Sequence, residues 1–376
     1  MSTKTKILSL SAIAATLLSP AAFAEIQANL SIDNAANLVG SSDVVANISY
    51  TNTDSQPVSM LSYLMKANSN GDLEENLFTV TLDGKHVEYQ GMHVKRPAPT
   101  KADYITIRPG QTVSYKVELS GVYDLKQSGN YTFQYNATNM NMFADQPMVN
   151  RAAAIMGMDG VHSNEAEVFV TKSASSYIGI ELSKAKKGKP CNPRKETCDG
   201  GGGDPDPSGI EFTGSCSSGE QSNLISALGA AKDMANDSIS SLNGSSGDRY
   251  NSWFGSYSSS RHNTVSGNFD SIKDALDNEQ LTFDCSCNQS YFAYVYPNQP
   301  YKVYFCKAFW NANETGTDSR GGTIIHEMSH FNAVAGTDDV VYGQSGARAL
   351  AISNPNDAVK NADSHEYFAE NNPSEN

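Results

Sequence analysis

The chain has 376 residues, a formal net charge of −14 and 39% hydrophobic residues. Most of the excess acid lies in the C-terminal half, from Glu211 onward. Such a surface argues against nucleic acid and anionic membranes as partners and would attract cationic substrates, although acidity also serves simply to keep an exported protein soluble.

The N-terminus, residues 1–24, has the three-part layout of a secretory signal peptide. Two lysines precede an apolar run from Ile7 to Leu18, and the small residues Ala22 and Ala24 follow it. The run is too short to span a bilayer. We therefore predict cleavage after Ala24 and secretion into an extracellular compartment where disulfides persist. About 350 residues would remain, which suggests two domains.

Residues 25–183 contain short runs in which apolar and polar side chains alternate. Turn dipeptides such as Asp83-Gly84 separate the runs. This pattern predicts an all-β antiparallel sandwich of immunoglobulin-like type. His86, His93 and His162 are scattered through it without the spacing of metal ligands, and we interpret them as surface residues.

The composition changes over residues 184–210, which are rich in Gly, Pro and Lys and almost free of apolar side chains. Such a segment cannot bury a core, and it predicts an exposed linker where proteases cut. Cys191 and Cys198 lie inside it, and the simplest interpretation is a local disulfide.

All six cysteines lie in the second half of the chain. An even number in an exported chain favours disulfides over metal thiolates, and sequence alone allows fifteen full pairings.

Residues 211–376 predict an α+β domain. The expected helices and strands are an amphipathic helix over 220–242, a helix over 269–276, a small sheet from the runs 281–285, 291–296 and 301–306, a helix over 323–334, and a tail over 345–371 that is mostly helical with breaks near Pro355 and Ala362. The two prolines within 297–300 would turn the last two strands into a hairpin.

One stretch of this domain indicates a specific chemistry. His326, Glu327 and His330 form the motif H-E-x-x-H. Residues four apart lie on one face of a helix, so both imidazoles can bind one ion while Glu327 reaches a water molecule. The alternative is an ordinary helix with two surface histidines.

A zinc hydrolase needs a third protein ligand and an open position for water. The metzincin pattern is excluded because Ala333 and Gly336 stand where that family has Gly and His. The helix should instead end near Gly336, and the chain could turn back to offer Asp338 or Asp339.

The motif H-E-x-x-H is followed by the segment G-T-D-D-V-V-Y-G at 336–343. Together these two motifs resemble those of the deuterolysin or aspzincin family of zinc endopeptidases. The resemblance implies a zincin-type fold and one zinc ion per chain, held by His326, His330 and Asp339. Zinc would activate a water molecule, and Glu327 would take its proton and pass it to the leaving amine. Tyr342 would stabilise the oxyanion.

The tail resembles one branch of this family, the peptidyl-lysine metalloendopeptidases, which cleave on the amino side of lysine. By that resemblance Asp363 and Glu366 line the pocket for the lysine ammonium, and a buried ammonium does require carboxylate partners. The alternatives are a solvated acidic helix face and a deuterolysin-like protease of broader specificity. His365 stands where an aromatic residue is expected.

The resemblance also implies the disulfides Cys216–Cys285 and Cys287–Cys306, which leaves Cys191 with Cys198. The N-terminal domain lies outside the catalytic motifs, and we predict that it is a propeptide that inhibits the enzyme until the linker is cut. The rivals are a permanent domain for adhesion or substrate binding, and a non-enzymatic exported binding protein with structural zinc. We expect a monomer that acts on lysine-containing proteins or peptides.

Overall fold

The computed structural model describes residues 26–33, 44–69, 71–139, 141–144, 160–170, 209–244 and 247–375. The predicted signal peptide lies outside the described residues, as do almost all of the predicted linker and both Cys191 and Cys198. Within the described parts of the chain, no helix is long and apolar enough to cross a membrane.

The N-terminal region is built from strands, as its alternating sequence predicts. They are β1 (Ile26–Ile32), β2 (Val45–Asn52), β3 (Val58–Leu61), β4 (Phe78–Leu82), β5 (Lys85–His86), β6 (His93–Lys95), β7 (Tyr104–Ile107), β8 (Thr112–Glu118), β9 (Gly129–Ala137) and β10 (Val161–Val170), with short 3-10 turns at Ser62–Leu64 and Lys101–Asp103.

These strands form antiparallel sheets around one apolar core. One sheet has the order β1-β2-β8, another has the order β10-β9-β4-β5, and β3 pairs with β7. In β1 and β9 every second side chain is buried, because successive side chains of a strand point to opposite faces. The predicted β-rich region is confirmed, while the immunoglobulin-like topology stays a prediction.

The C-terminal region mixes helices and strands, which confirms the predicted α+β class. Its elements are β11 (Ile210–Thr213), α1 (Ser218–Leu242), α2 (Asp248–Phe254), α3 (Ser259–Asn278), β12 (Leu281–Asp284), β13 (Ala293–Val295), β14 (Lys302–Phe305), α4 (Lys307–Asn311), α5 (Arg320–His330), α6 (Gly343–Ser353), α7 (Pro355–Ala358) and α8 (Ala362–Glu370).

The second core of the molecule lies between this region's sheet and its helices. The sheet has the order β11-β12-β14-β13-β6, in which β11, β12 and β14 run parallel and β13 forms the predicted hairpin with β14. Helix α5 packs against α1 and α8, and its residues from Gly321 to His330 are all buried. A helix buried on every side is positioned by the whole domain rather than by one neighbour.

The last strand of that sheet comes from the other region of the chain. Strand β6 pairs antiparallel with β13, so that Lys95 lies opposite Ala293 and His93 lies opposite Val295. The Phe292 amide donates a hydrogen bond to the Lys95 carbonyl at 3.0 Å. The N-terminal region therefore extends the C-terminal sheet by one strand.

The disulfides Cys216–Cys285 and Cys287–Cys306 are present, as the resemblance implied, and they join partners 69 and 19 positions apart. The first ties the start of α1 to the end of β12. Helix α1 begins with a capping box, in which Ser217 and Glu220 satisfy each other's backbone N–H groups. Both features fix the start of α1, the helix against which α5 packs.

Candidate functional site

Two imidazoles on α5 and one carboxylate after it converge at the centre of the C-terminal region. The His326 Nε2 atom lies 3.1 Å from Asp339 Oδ1, and His330 Nε2 lies 3.4 Å from the same oxygen. Both histidines are fully buried, and the Asp339 carboxyl is only 4% exposed. The structure thus brings together the three residues that the two sequence motifs singled out.

A reversal of the chain brings Asp339 back to the helix. Helix α5 ends at His330, earlier than the predicted Val334, because Phe331 takes an extended ψ of 130°. Gly336 then has a φ of +58°, a left-handed conformation that glycine adopts without strain. Thr337 N–H donates to the Ser329 carbonyl at 3.0 Å, which ties the returning segment to the last turn of α5.

These three side chains fit a zinc ion. Among the described residues, none forms a hydrogen bond with His326 Nε2, His330 Nε2 or either oxygen of Asp339, although these atoms are buried. Ligands about 2.0 to 2.1 Å from a tetrahedral zinc ion lie about 3.3 Å apart, close to the two distances measured here. Burial opposes ionisation of Asp339, but the two histidines hold the pKa of its carboxyl well below the usual value.

The opposite edges of both imidazoles are also occupied. His330 Nδ1 lies 2.8 Å from the Thr337 carbonyl oxygen, to which it must donate because a carbonyl only accepts. His326 Nδ1 lies 3.0 Å from Asp363 Oδ1 and 3.2 Å from Glu366 Oε2. The hydrogen bond of His330 fixes the tautomer in which its Nε2 is free to bind a metal, and two carboxylates lie beside Nδ1 of His326, where a proton on that nitrogen is favoured.

Glu327 lies beside these groups and is fully buried. Neither of its oxygens has a hydrogen-bond partner in the described part of the chain. Burial raises the pKa of its carboxyl to about 7. A carboxyl that titrates near neutral pH can both accept and return a proton, as a general base must.

Tyr342 faces the N-terminal region. Its hydroxyl lies 2.9 Å from Glu75 Oε1 and 3.1 Å from the Val94 carbonyl oxygen, and it can donate to either. Glu75 is held in turn by Arg96, whose Nε lies 3.1 Å from the same oxygen. The hydroxyl that was predicted to meet a substrate carbonyl therefore meets a carbonyl of the chain's own strand β6.

A lysine side chain fills the predicted lysine pocket. Lys95 is 1% exposed, and its Nζ lies 2.6 Å from Glu366 Oε2 and 3.3 Å from Asp318 Oδ1. Burial alone would lower the pKa of Lys95, but the carboxylates of Glu366, Asp363 and Asp318 raise it well above the ordinary value. The side chain is therefore an ammonium ion in contact with carboxylates.

Asp363 contributes to this pocket from a longer distance. Its Oδ1 lies 4.0 Å from Lys95 Nζ, while Oδ2 accepts a hydrogen bond from the Gly343 amide at 2.5 Å. Oδ1 is closer to His326, as noted above. Asp363 therefore lies between a histidine and the pocket, while Glu366 makes the direct contact with the ammonium.

The third acid of the pocket, Asp318, was missed by the sequence analysis. Its loop is fixed by Glu370 of α8, which accepts hydrogen bonds from the amides of Asp318 and Ser319 at 3.2 and 2.7 Å. Asp318 precedes α5 by two residues and belongs to no motif, so only the folded contact between this loop and α8 reveals it.

His93 was interpreted as a surface residue, and that interpretation is wrong. It is only 6% exposed, and its ring centroid lies 4.6 Å from that of His330. The metal-binding atoms of His93, His330 and Asp339 all lie within 4.8 Å of one another. The sequence did contain one signal that His93 lies near the lysine pocket. His93 and Lys95 are two apart in a strand, so their side chains share a face. His86 and His162 are exposed as predicted.

His365, which stood where an aromatic residue was expected, faces away from the pocket. Its ring packs against Phe254 and Phe269, and Nε2 lies 3.0 Å from the Asn268 side chain. The histidine therefore occupies an aromatic position in the core and leaves the shape of the pocket unaffected.

Comparison with known proteins places this geometry in a family context. Residues 240–370 match the aspzincin family, described as lysine-specific metallo-endopeptidases. An extracellular protease of Aeromonas hydrophila is 41% identical over 97% of each chain. A peptidyl-Lys metalloendopeptidase of Armillaria mellea is 32% identical over 92% of each chain. A solved zinc peptidase from Grifola frondosa is 49% identical and covers 43% of this chain and 100% of its own, with a TM-score of 0.42.

Proposed function

The chain belongs to the aspzincin family of zinc metalloendopeptidases and acts on proteins or peptides, and from this premise we propose that it cleaves on the amino side of lysine and is exported as a latent precursor. The family membership sets aside the alternative of a non-enzymatic binding protein. The lysine preference, the export and the latency are supported by separate observations.

We assign the metal site to His326, His330 and Asp339, which would hold one zinc ion per chain. The support is the cluster of buried ligand atoms that lack hydrogen-bond partners among the described residues. Zinc, when bound, activates a water molecule and polarises the carbonyl group of the scissile bond.

The side chains around that site have separable roles. Glu327 would accept the proton of the attacking water and return it to the leaving amine, which its near-neutral pKa of about 7 permits. Tyr342 would donate its hydroxyl hydrogen bond to the oxyanion of the substrate. Removal of one such donor typically lowers the rate by about 10² to 10³.

The preference for lysine rests on one observation above all. The pocket formed by Glu366, Asp318 and Asp363 accommodates a lysine side chain whose ammonium lies 2.6 Å from Glu366. A neutral side chain there would leave buried carboxylates without a partner, which is strongly unfavourable. A deuterolysin-like protease of broader specificity remains the second candidate, and cleavage-site mapping separates the two.

Latency is supported by the same strand, because β6 of the N-terminal region pairs with β13 and brings His93 beside His330 of the proposed metal site. We propose that residues 1–24 are a signal peptide, that 25–183 form a propeptide domain, that cleavage within 184–210 activates the enzyme, and that 211–376 form a monomeric catalytic domain. The relatives named as proteases match nearly the full chain, so they share an N-terminal region of this kind. The linker lysines would suit self-activation, and the pair Cys191–Cys198 stays a prediction.

To test the lysine preference, the linker of the zinc-loaded protein is first cut. The sites at which the processed protein cleaves a mixed protein substrate are then mapped by mass spectrometry. Lysine should begin most new N-termini. Glu366→Gln should lose that preference, while Asp357→Asn, an acid on α7 outside the pocket, should keep it. Sites without lysine enrichment would support the broader specificity.

The catalytic assignment needs its own variant. Glu327→Gln should abolish turnover and retain zinc, and its pure precursor should fail to mature alone if activation is autocatalytic. Full activity in this variant would overturn the role given to Glu327.

A further inference from the structure

Strand β6 lies in the cleft as a substrate of the proposed specificity would lie. It adds to the edge of the sheet by pairing antiparallel with β13, a common way in which extended peptides bind. Lys95 fills the lysine pocket, and the carbonyl of Val94 lies 3.1 Å from the Tyr342 hydroxyl. The peptide bond between Val94 and Lys95 is therefore in the place of the bond that the enzyme is proposed to cut.

A strand bound in this way should be hydrolysed unless water is kept from its carbonyl. Val94 is fully buried, and every recognition contact that the proposal assigns to a substrate is present. A latent precursor thus needs a further feature that separates this strand from a true substrate.

The feature that the structure offers is the side chain before Val94. His93 shares a face of β6 with Lys95, because residues two apart in a strand point the same way. While Lys95 enters the pocket, the ring of His93 lies 4.6 Å from the ring of His330 at an angle of 37°. Its metal-binding atoms lie within 4.8 Å of those of His330 and Asp339.

We propose that His93 is the fourth protein ligand of the zinc ion in the precursor, an inference that rests on the proposed zinc site. Two imidazoles from α5, one carboxylate and the imidazole of His93 would supply four protein ligands, the number that closes a structural zinc site. A catalytic site keeps one position open for water. In this precursor His93 occupies that position, and withdrawal of β6 after linker cleavage opens it.

The experiment uses the full chain with Glu327→Gln, a change that should prevent self-cleavage while the metal is bound. Zinc X-ray absorption counts the imidazoles bound to the ion in this precursor and again after an added protease has cut the linker and the N-terminal region has been removed. We expect three imidazoles before removal and two after it. This comparison requires no substitution at His93.

The matched variants are His93→Phe, which keeps a planar ring but cannot bind a metal, and His86→Phe, an exposed histidine of the same region. In the cobalt-loaded precursor, His93→Phe should change the visible absorption from a four-coordinate spectrum with three imidazoles to that of the processed form. It should also release zinc to a chelator at least about tenfold faster, since even outer contacts of a zinc site change affinity by 10- to 100-fold. His86→Phe should change neither.

Two imidazoles in the intact precursor, or identical spectra with and without His93, would overturn the inference and leave the proposed three-ligand site standing. If neither the precursor nor the processed protein binds zinc or cobalt, both the inference and the proposed zinc site are wrong.

Discussion

Replacing Lys95 by Met should weaken the binding of strand β6 of the N-terminal region in the cleft. Methionine has nearly the length of the lysine stem and is apolar, so it can fill the space of that stem. The change removes the ammonium group, together with its contacts to the pocket acids and to the rings of Phe292 and Tyr367, which lie 5.1 and 5.8 Å from Lys95 Nζ. Its effect reports how strongly the pocket acids hold strand β6.

The expected size follows from burial. Lys95 is 1% exposed and Glu366 is fully buried, so this pair is shielded from solvent. Removing one partner of a buried ion pair is unfavourable by about 3 to 5 kcal/mol, because the other charge stays buried and unpaired. Since about 1.4 kcal/mol is a factor of ten, the equilibrium for release of β6 should shift by roughly 10² to several times 10³.

Hydrogen exchange at the Phe292 amide measures this equilibrium. The amide donates to the Lys95 carbonyl at 3.0 Å, and it exchanges only when the strand leaves. Its protection in the Glu327→Gln precursor should fall by the factor given above. With Glu327 intact, the unprocessed precursor should show a matching rise in peptidase activity.

Lys116→Met is the control, because its ion pair with Asp33 has a distance of 2.8 Å but the lysine is 69% exposed. Exposed pairs contribute about 0 to 1 kcal/mol, so protection at Phe292 should stay unchanged. Adding Glu366→Gln to Lys95→Met should restore part of the protection, since Glu366, the acid closest to Lys95 Nζ, then carries no charge. Protection at Phe292 that is insensitive to Lys95→Met would refute the view that charge holds the strand.

Two other substitutions test the supports of the site. Asp363→Asn should weaken zinc binding by about 10- to 100-fold, because Asp363 lies 3.0 Å from the Nδ1 atom of His326; an unchanged affinity in chelator competition would contradict this role. Removing the disulfide Cys216–Cys285 should lower the free energy of unfolding by about 4 kcal/mol, against about 3 for Cys287–Cys306, because the first closes the longer loop. Denaturant unfolding measures both, and equal losses would contradict the chain-entropy argument.

The cluster of the three proposed metal ligands could be predicted because its geometry is local. His326 and His330 are one helical turn apart, and Asp339 follows within nine residues through a turn that Gly336 permits. Helical periodicity and one tight reversal are enough to bring three ligands together. The helix limits were less accurate, because the predicted helix to Val334 gives way to an extended Phe331 that no sequence pattern marked.

The contacts of strand β6 could not be predicted in the same way. Lys95 and Glu366 are 271 positions apart, and Tyr342 and Glu75 are 267 apart. Such pairs carry no periodicity or spacing, and they depend on how two separately folded regions meet. His93 was consequently placed on the surface, since the sequence around it shows no spacing of metal ligands.

The same three acids would serve both specificity and latency, which links the two properties. While the linker is intact, Lys95 would compete with a substrate lysine as part of the same molecule, so that return of β6 to the pocket is an intramolecular event. Once the linker is cut, β6 can leave by diffusion, and its return becomes a bimolecular event. A pocket that binds lysine more tightly would therefore also close the proposed precursor more tightly, and linker cleavage would release the enzyme without any change in the pocket itself.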